Sequence, residues 1–452
     1  MYYTKKRGFF LMHKNIKTAK FGGSSLASAE QFKKVTEIIK ADSDRRYVVA
    51  SAPGKRNSDD FKITDKLYEC YELASKGENI DRIFAQLEER YRAIVSGLGV
   101  NFALDDEFEK IKMSVIHNAG RDYTASRGEY LNAKILAKYL DFEFIDAKEI
   151  IFFNENGQLD SEKTYLATGE RLKHVSHAVI PGFYGSMPND TIRTFSRGGS
   201  DITGAIVARS TNSVIYENWT DVSGVLMADP RIVDNPDVID VITYNELREL
   251  SYMGATVLHE DAIFPVRLMG IPINIRNTNS PQDSGTMIVA SCSDSERDNI
   301  ITGIAGKKGF CSITIEKDMM NSEVGFARKV LAALEREDIS FEHLPSGIDT
   351  LSIILSEKSI EGKHDSILRS LCDAVNPDSV FIEDEIALIA VVGRGMRSTK
   401  GTAARTIGAI AKADINIVMI DQGSSELNII LGVKENDLEA AIKAIYNEFR
   451  HK

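Results

Sequence analysis

Over the first half of the chain, short apolar runs that end in glycine or proline alternate with longer segments whose apolar residues recur every three or four positions. Residues 16–21 and 47–51 have the length and density of buried strands, and each runs into a Gly- or Pro-containing loop. Between them, Ala29–Lys40 places Phe32, Val35 and Ile39 on one helical face, and Ser28 and Gln31 stand at capping-box spacing in front of it. Val214, Ile215 and Tyr216 predict another strand. Ile202, Ala205 and Ile206 share one face of a helix, as do Leu131, Ile135 and Leu136. This order of strand, loop and helix predicts an α/β domain with a mostly parallel sheet, whose ligands sit at the carboxyl ends of the strands.

The pattern changes after residues 291–298, a short polar and charged stretch that reads as a linker. Beyond it the sequence repeats itself without gaps. Gly325 matches Gly401, Ala327 matches Ala403, and Leu334 pairs with Ile410. Asp338-Ile339 matches Asp414-Ile415, Gly347 matches Gly423, and Leu351 and Ile353-Ile354 match Leu427 and Ile429-Ile430. All share one offset of 76 residues. Each copy reads as strand, Gly-containing loop, helix, strand, turn, strand, and two such half-buried copies would pack side by side.

At 452 residues the chain is too long for one ordinary core, so two or three domains are expected. With 43% hydrophobic and 27% charged residues it has the composition of a folded globular protein. A net charge of −11 argues against a general nucleic-acid binder, which needs clustered Lys and Arg. Cys70, Cys292, Cys311 and Cys372 are too scattered for a zinc site or disulfide framework, which fits a reducing compartment. The apolar run Phe9-Phe10-Leu11-Met12 is too short for a signal-peptide core, so a cytoplasmic location is expected.

Two motifs carry the chemistry. Lys20 leads into Phe21-Gly22-Gly23-Ser24-Ser25, and Arg197 leads into Gly198-Gly199-Ser200-Asp201. Each couples a fixed charge to a glycine pair, whose backbone N–H groups can approach an anion closely. Two such cradles suggest phosphoryl transfer. Plainer readings stand beside this one. Lys20 could be a solvated lysine before a loop, Ser200 a helix N-cap and Asp201 a first-turn acid favoured by the helix dipole. Glu129, three residues after Ser126, has capping-box spacing, and Asp229-Pro230 suits a turn.

Both motifs, in order and separation, resemble those of the aspartokinases, as do Trp219-Thr220-Asp221-Val222-Ser223-Gly224 and Asp229-Pro230-Arg231. The resemblance runs from about Lys17 onward, which makes Met12 a candidate start, and the C-terminal repeat resembles tandem ACT domains. It implies an N-terminal extension (1–14) and a catalytic domain of the amino-acid kinase fold (15–292), a mostly parallel sheet sandwiched by helices. Two ferredoxin-like α+β ACT regions of βαββαβ form follow (299–383 and 384–452), with the strand at 300–306 lent to the second.

The same resemblance implies the site. Lys20 and Asp201 would be catalytic, with Asp201 organising the lysine. Arg197 would bind the α-carboxylate of L-aspartate and Glu129 its ammonium, with Ser51, Thr64, Gly198, Gly199 and Ser200 around them. ATP, carrying Mg2+, would meet Lys20, Gly22, Gly23, Ser24, Thr220, Asp221 and Arg231. Leu226 and Thr256 stand where many aspartokinases have tyrosine and lysine beside the adenine, which bears on base recognition. Met320, Gly325, Phe326, Ser340, Phe341 and Glu342 would bind a feedback amino acid, lysine ahead of threonine, in a homodimer or higher assembly paired through its ACT regions. The implied activity forms 4-phospho-L-aspartate, the entry to lysine, threonine and methionine. A glutamate kinase of the same fold and a catalytically silent amino-acid sensor are the rivals, and a fused homoserine dehydrogenase would need a further large domain. His174 and His177, spaced like metal ligands, lack an acidic or cysteine partner nearby, and Gly393-Arg394-Gly395 lacks a third glycine.

Overall fold

The structure, a computed structural model, describes residues 15–196, 198–255, 258, 260–292 and 300–450. Two compact units divide the chain. The first comprises Met1–Val225, Asp240–Tyr244 and Val257–Cys292, and the second Leu226–Ile239, Asn245–Thr256 and Ser293–Lys452. The sequence placed one boundary near residue 292, whereas two earlier segments also fold with the second unit. That membership rests on long-range pairing, such as the Ile304 N–H donating to the Met227 carbonyl at 2.7 Å, which no local pattern encodes.

In the first unit, β1 (Lys17–Phe21) is followed by α1 (Ala29–Lys40), β2 (Arg45–Ala50), α2 (Ile63–Ser75), α3 (Asp81–Leu98), α4 (Asp105–Ile116) and α5 (Arg121–Leu140). Then come β3 (Glu143–Phe144), α6 (Ser161–Lys173), β4 (Ala178–Pro181), the hairpin β5 (Tyr184–Ser186) and β6 (Ile192–Thr194), α7 (Gly199–Ser210) and β7 (Ile215–Thr220). β8 (Val241–Thr243), α9 (Glu260–Arg267), β9 (Ile273–Asn277) and β10 (Thr286–Val289) complete the series before the linker, and α8 (Tyr244–Tyr252), which follows β8 in the chain, folds from Asn245 onward with the second unit. Eight strands make one sheet in the order β3-β4-β2-β1-β7-β9-β10-β8, parallel throughout except between β9 and β10. The helix α1 has the expected bounds, but Ser28 supplies only half a capping box. It accepts from the Gln31 N–H, while the Gln31 side chain donates to Asn279 instead.

Strand alternation sorts the central residues onto two faces. Ala19 and Phe21 of β1 join Phe32, Val35 and Ile39 of α1 and Phe84 and Leu87 of α3 in one core. Lys20, one residue out of step, leaves the opposite face. On β7 the same alternation gives Glu217 and Trp219 to the core side: Trp219 stacks on Phe21, with ring centroids 5.9 Å apart, and its indole N–H donates to Glu217 at 2.9 Å. Glu217 also takes two bonds from Arg45, at 2.6 and 3.1 Å, both residues being buried.

The second unit holds the repeat. β11 (Gly303–Glu316), α10 (Phe326–Arg336), β12 (Thr350–Ser356), α11 (Glu357–Ile360), α12 (His364–Val375) and β13 (Ser379–Val392) precede α13 (Thr402–Lys412), β14 (Met419–Asp421), β15 (Asn428–Lys434) and α14 (Leu438–Phe449). Its sheet runs β12-β11-β13-β15-β14. Gly325 and Gly401 cap α10 and α13 in left-handed geometry, at φ 81° and 87°, and Asp338 and Asp414 follow both helices at φ 57° and 58°. No described helix in either unit is long and apolar enough to cross a membrane.

The Arg45–Glu217 pair yields a stability prediction. Glu217→Ala should cost about 3–5 kcal/mol, because it strands a buried guanidinium and the Trp219 N–H. An Arg45→Met/Glu217→Leu double variant should lose much less, since neither charge is then left alone. Urea unfolding of both variants against the wild type checks this, and equal losses would count against it.

Candidate active site

The carboxyl ends of β1, β2, β4 and β7 bring most of the expected residues to one edge of the first unit's sheet. β1 ends at Phe21, and the Gly22 N–H donates across to the Trp219 carbonyl at 2.9 Å. Gly23 meets the loop that leaves β2. The Gly54 N–H donates to the Gly23 carbonyl at 2.8 Å, and a Cβ on Gly23 would stand 2.9 Å from the Ala52 carbonyl, so the approach requires glycine. Ser24 opens a 3-10 turn, Ser24–Leu26. The Ser51 N–H donates to the Phe21 carbonyl at 3.2 Å, and Asn132 of α5 donates to the Ser51 carbonyl at 2.7 Å. Thr64 lies in the first turn of α2, which begins at Ile63.

At the centre, Lys20 reaches Asp201. Its Nζ is 2.6 Å from Asp201 Oδ1, and both side chains are largely withdrawn from water, at 10% and 19% exposure. Asn218, which the sequence did not single out, touches both: it donates to Asp201 Oδ1 at 2.9 Å, and its own Oδ1 is 3.4 Å from Lys20 Nζ. The signal for it was present, since Glu217 and Asn218 are polar residues inside an otherwise apolar strand. Tyr216 fixes the Asp201 backbone, its hydroxyl donating to the Asp201 carbonyl at 3.0 Å, and burial pushes that hydroxyl's pKa well up.

Two of the plainer readings fail. Ser200 is not the N-cap of α7. That position belongs to Gly198 at φ 57°, a left-handed conformation that favours glycine, and Gly199 is the first helical residue. The N–H groups of this helix start lie at the same sheet edge as Lys20, as an anion site requires. Glu129 is not a capping residue either, because α5 begins eight residues earlier, after Gly120 at φ 96°. Glu129 instead projects from mid-helix into the site wall, 6% exposed. One carboxyl oxygen accepts from the Ala52 N–H, and Oε2 has no partner. Burial, only partly offset by that N–H and by Arg127, pushes its pKa up to about 8. A cationic ligand on the open Oε2 would offset the burial and favour the ionised carboxylate, so the site suits a cation whose binding releases the proton.

Other expectations fall elsewhere. β7 runs to Thr220, beyond the predicted strand, and Thr220 donates to the exposed Asp221 at 3.1 Å. Leu226 and Arg231 belong to the second unit, where Leu226 bridges to Val238 and Arg231 is tied to Asp229. Arg197 and Thr256 lie outside the described residues. His177 packs on Phe142, and no three metal-ligating side chains gather among the described residues.

In the second unit, Met320 and Phe326 fill the core of the first module, and Gly325 caps α10. Ser340 and Phe341 line a groove with Arg328, Leu331, Glu335 and Asp338. Glu342, just beyond, accepts from the Tyr252 hydroxyl.

Residues 16–277 match the amino acid kinase family and residues 389–449 an ACT domain. Aspartokinase 3 of Bacillus subtilis is 38% identical, over 96% of this chain and 98% of that protein. The crystal structure of Clostridium acetobutylicum aspartate kinase is 53% identical and superposes with a TM-score of 0.89, covering 96% of this chain and all of that one. A bifunctional aspartokinase/homoserine dehydrogenase of Arabidopsis thaliana is 28% identical over 95% of this chain, which spans half of its length.

The buried Glu129 gives stability a pH dependence. Its folded pKa is raised from the usual 4.5 to about 8, so its contribution is fully present below about 4.5 and is lost as the pH rises through 8. Glu129→Gln lacks that loss. Urea midpoints measured at several pH values should show the wild type falling relative to the variant across this window, and parallel curves would mean that Glu129 is charged throughout.

Proposed function

The chain belongs to the aspartokinases of the amino acid kinase family, and from that premise we propose how its residues transfer the γ-phosphoryl group of ATP to L-aspartate. The β-carboxylate of aspartate, with an ordinary pKa near 3.9, is already an anion at neutral pH and needs no general base. One of its oxygens attacks the γ-phosphorus, the bond to the bridging oxygen breaks, and ADP leaves as 4-phospho-L-aspartate forms. The difficulty is to hold two anions in line, so catalysis consists of positioning and charge compensation.

Lys20, the Gly23 amide and the N-terminus of α7 are the compensating groups, while the Gly22 N–H, bonded to the Trp219 carbonyl, holds the loop in place; Mg2+ arrives with the nucleotide as MgATP. Asp201 holds the ammonium of Lys20 in place. Glu129 receives the substrate ammonium on its open Oε2, and Arg197 takes the α-carboxylate with its planar fork. Ser51, Thr64 and Ser200 complete the aspartate side, and Thr220 and Asp221 serve the nucleotide. The observation that carries this reading is the withdrawn Lys20–Asp201 pair, 2.6 Å apart, beside the glycine cradle.

The domain assignment follows the same proposal, with residues 15–292 catalytic and ACT regions at 299–383 and 384–452. The ACT regions would pair two copies of the chain and take lysine, ahead of threonine, near Ser340, Phe341 and Glu342. Glu342 is the natural partner for a cationic side chain, which would compete with its bond to Tyr252.

Two outcomes test this. ADP formation should depend on aspartate and not on glutamate, and Lys20→Ala should lower kcat at least about a hundredfold with a smaller change in the KM for aspartate; turnover within about threefold of wild type would remove Lys20 from catalysis. Lysine should inhibit the wild type, and Glu342→Ala should raise the half-inhibiting concentration about tenfold or more, the loss of one charge-assisted contact. No inhibition by lysine or threonine, singly or together, would leave the ACT regions a purely structural pairing unit.

A further inference from the structure

Lys20 and Asn218 are register partners on adjacent parallel strands, so their side chains leave the same face of the sheet side by side. Asp201 reaches them from the first turn of α7. The three side chains close a triangle with edges of 2.6 Å (Lys20–Asp201), 2.9 Å (Asn218–Asp201) and 3.4 Å (Lys20–Asn218). A single amide orientation satisfies it. An ammonium only donates and a carboxylate only accepts, so Asn218 must turn Oδ1 to the lysine and Nδ2 to the aspartate. Its 4% exposure removes water as an alternative partner.

We propose that Asn218 is a positioning residue for phosphoryl transfer, one that holds Asp201 and Lys20 at a fixed mutual bearing; this rests on the reading of those two residues as the catalytic pair. A lysine on a four-carbon stem has several rotamers, and a lone carboxylate can rotate to follow any of them. The amide removes that freedom at both ends: it occupies Asp201 Oδ1 from the strand side and offers Lys20 a second acceptor. Its neutrality matters as much. A carboxylate at residue 218 would over-neutralise the lysine and repel the two reacting anions, and a cation there would compete for Asp201. Strand alternation isolates the device, since the neighbouring Glu217 is turned to the other face and engaged with Arg45 and Trp219.

The test uses the full chain and five variants in the aspartate-dependent assay. Asn218→Leu, similar in size without polar atoms, should lower kcat about thirtyfold while both KM values stay within about threefold. Asn218→Val, suited to a strand, is measured in parallel and carries the same expectation. Asn218→Thr, whose hydroxyl can both donate and accept, should be at least about tenfold faster than Asn218→Leu. Added to Asp201→Asn, Asn218→Leu should cost less than about threefold more, because the amide acts through Asp201. Three results would overturn the proposal: kcat near wild type in the leucine and valine variants, equal losses in the threonine and leucine variants, or losses that multiply in the double variant. Activity losses that merely track the unfolding midpoints would also overturn it. A wild type with no aspartate-dependent turnover would sink the functional reading itself, and the proposal with it.

Discussion

An ammonium withdrawn from water has to be met, and much of the first unit is arranged around meeting that of Lys20. The lysine sits on the central strand β1, flanked by β2 and β7, where the sheet is deepest and water scarcest. An unpaired buried charge there would cost several kcal/mol, enough to consume most of a domain's stability. Asp201 and Asn218 answer it with one charge and one dipole. The pairing leaves the ammonium in place and oriented, which is the condition for using it on an incoming phosphate. The helix that brings Asp201 therefore has to start at this sheet edge. Its left-handed Gly198 and the bond from Tyr216 to the Asp201 backbone fix where that start falls.

The opposite face of the same strands has a structural task. Glu217 and Trp219 alternate with Asn218, and their bonds to Arg45 and stacking on Phe21 pin β7 against β1 and β2. The register that results is what aligns Asn218 with Lys20. A one-residue slip would exchange the faces, placing Asn218 in the apolar core and Glu217 beside the lysine. Stability and site geometry are thus set by one pairing register.

What the sequence made legible was what local patterns encode. The strand, glycine-loop and helix around Lys20 were readable, because period and turn chemistry coincide there, and so was the repeat after the linker. The failures share a cause. Glu129 was open to a capping reading because Ser126 stands three residues before it, yet α5 starts at Gly120, whose positive φ has no signature beyond the glycine itself. Asn218 stands out locally only as a polar residue in a strand, and its role comes from Lys20, 198 positions away, and from Asp201, 17 positions away. The boundary near residue 292 missed that the segment holding Leu226 and Arg231 folds with the second unit, because it does so through distant pairings such as Ile304 with Met227.

The repeat shows how an identical local code can give a shared structure. At matching positions both copies have the same left-handed cap and the same left-handed aspartate after the helix, so each forms its helix independently. Their sheets are not independent. The first half of β11, Gly303 to Lys307, pairs with residues 388–392 of β13, which in turn pair with β15; the second half of β11 pairs with β12 and with residues 379–383 of β13. Each long strand thus serves both modules, and each bends near its middle, at Gly309 with φ 89° and Glu385 with φ 61°. Moving one module against the other would break ladder bonds in two continuous strands at once. A ligand that shifts the first module must therefore carry the second with it or unpair the sheet, and the smaller cost lies in moving them together.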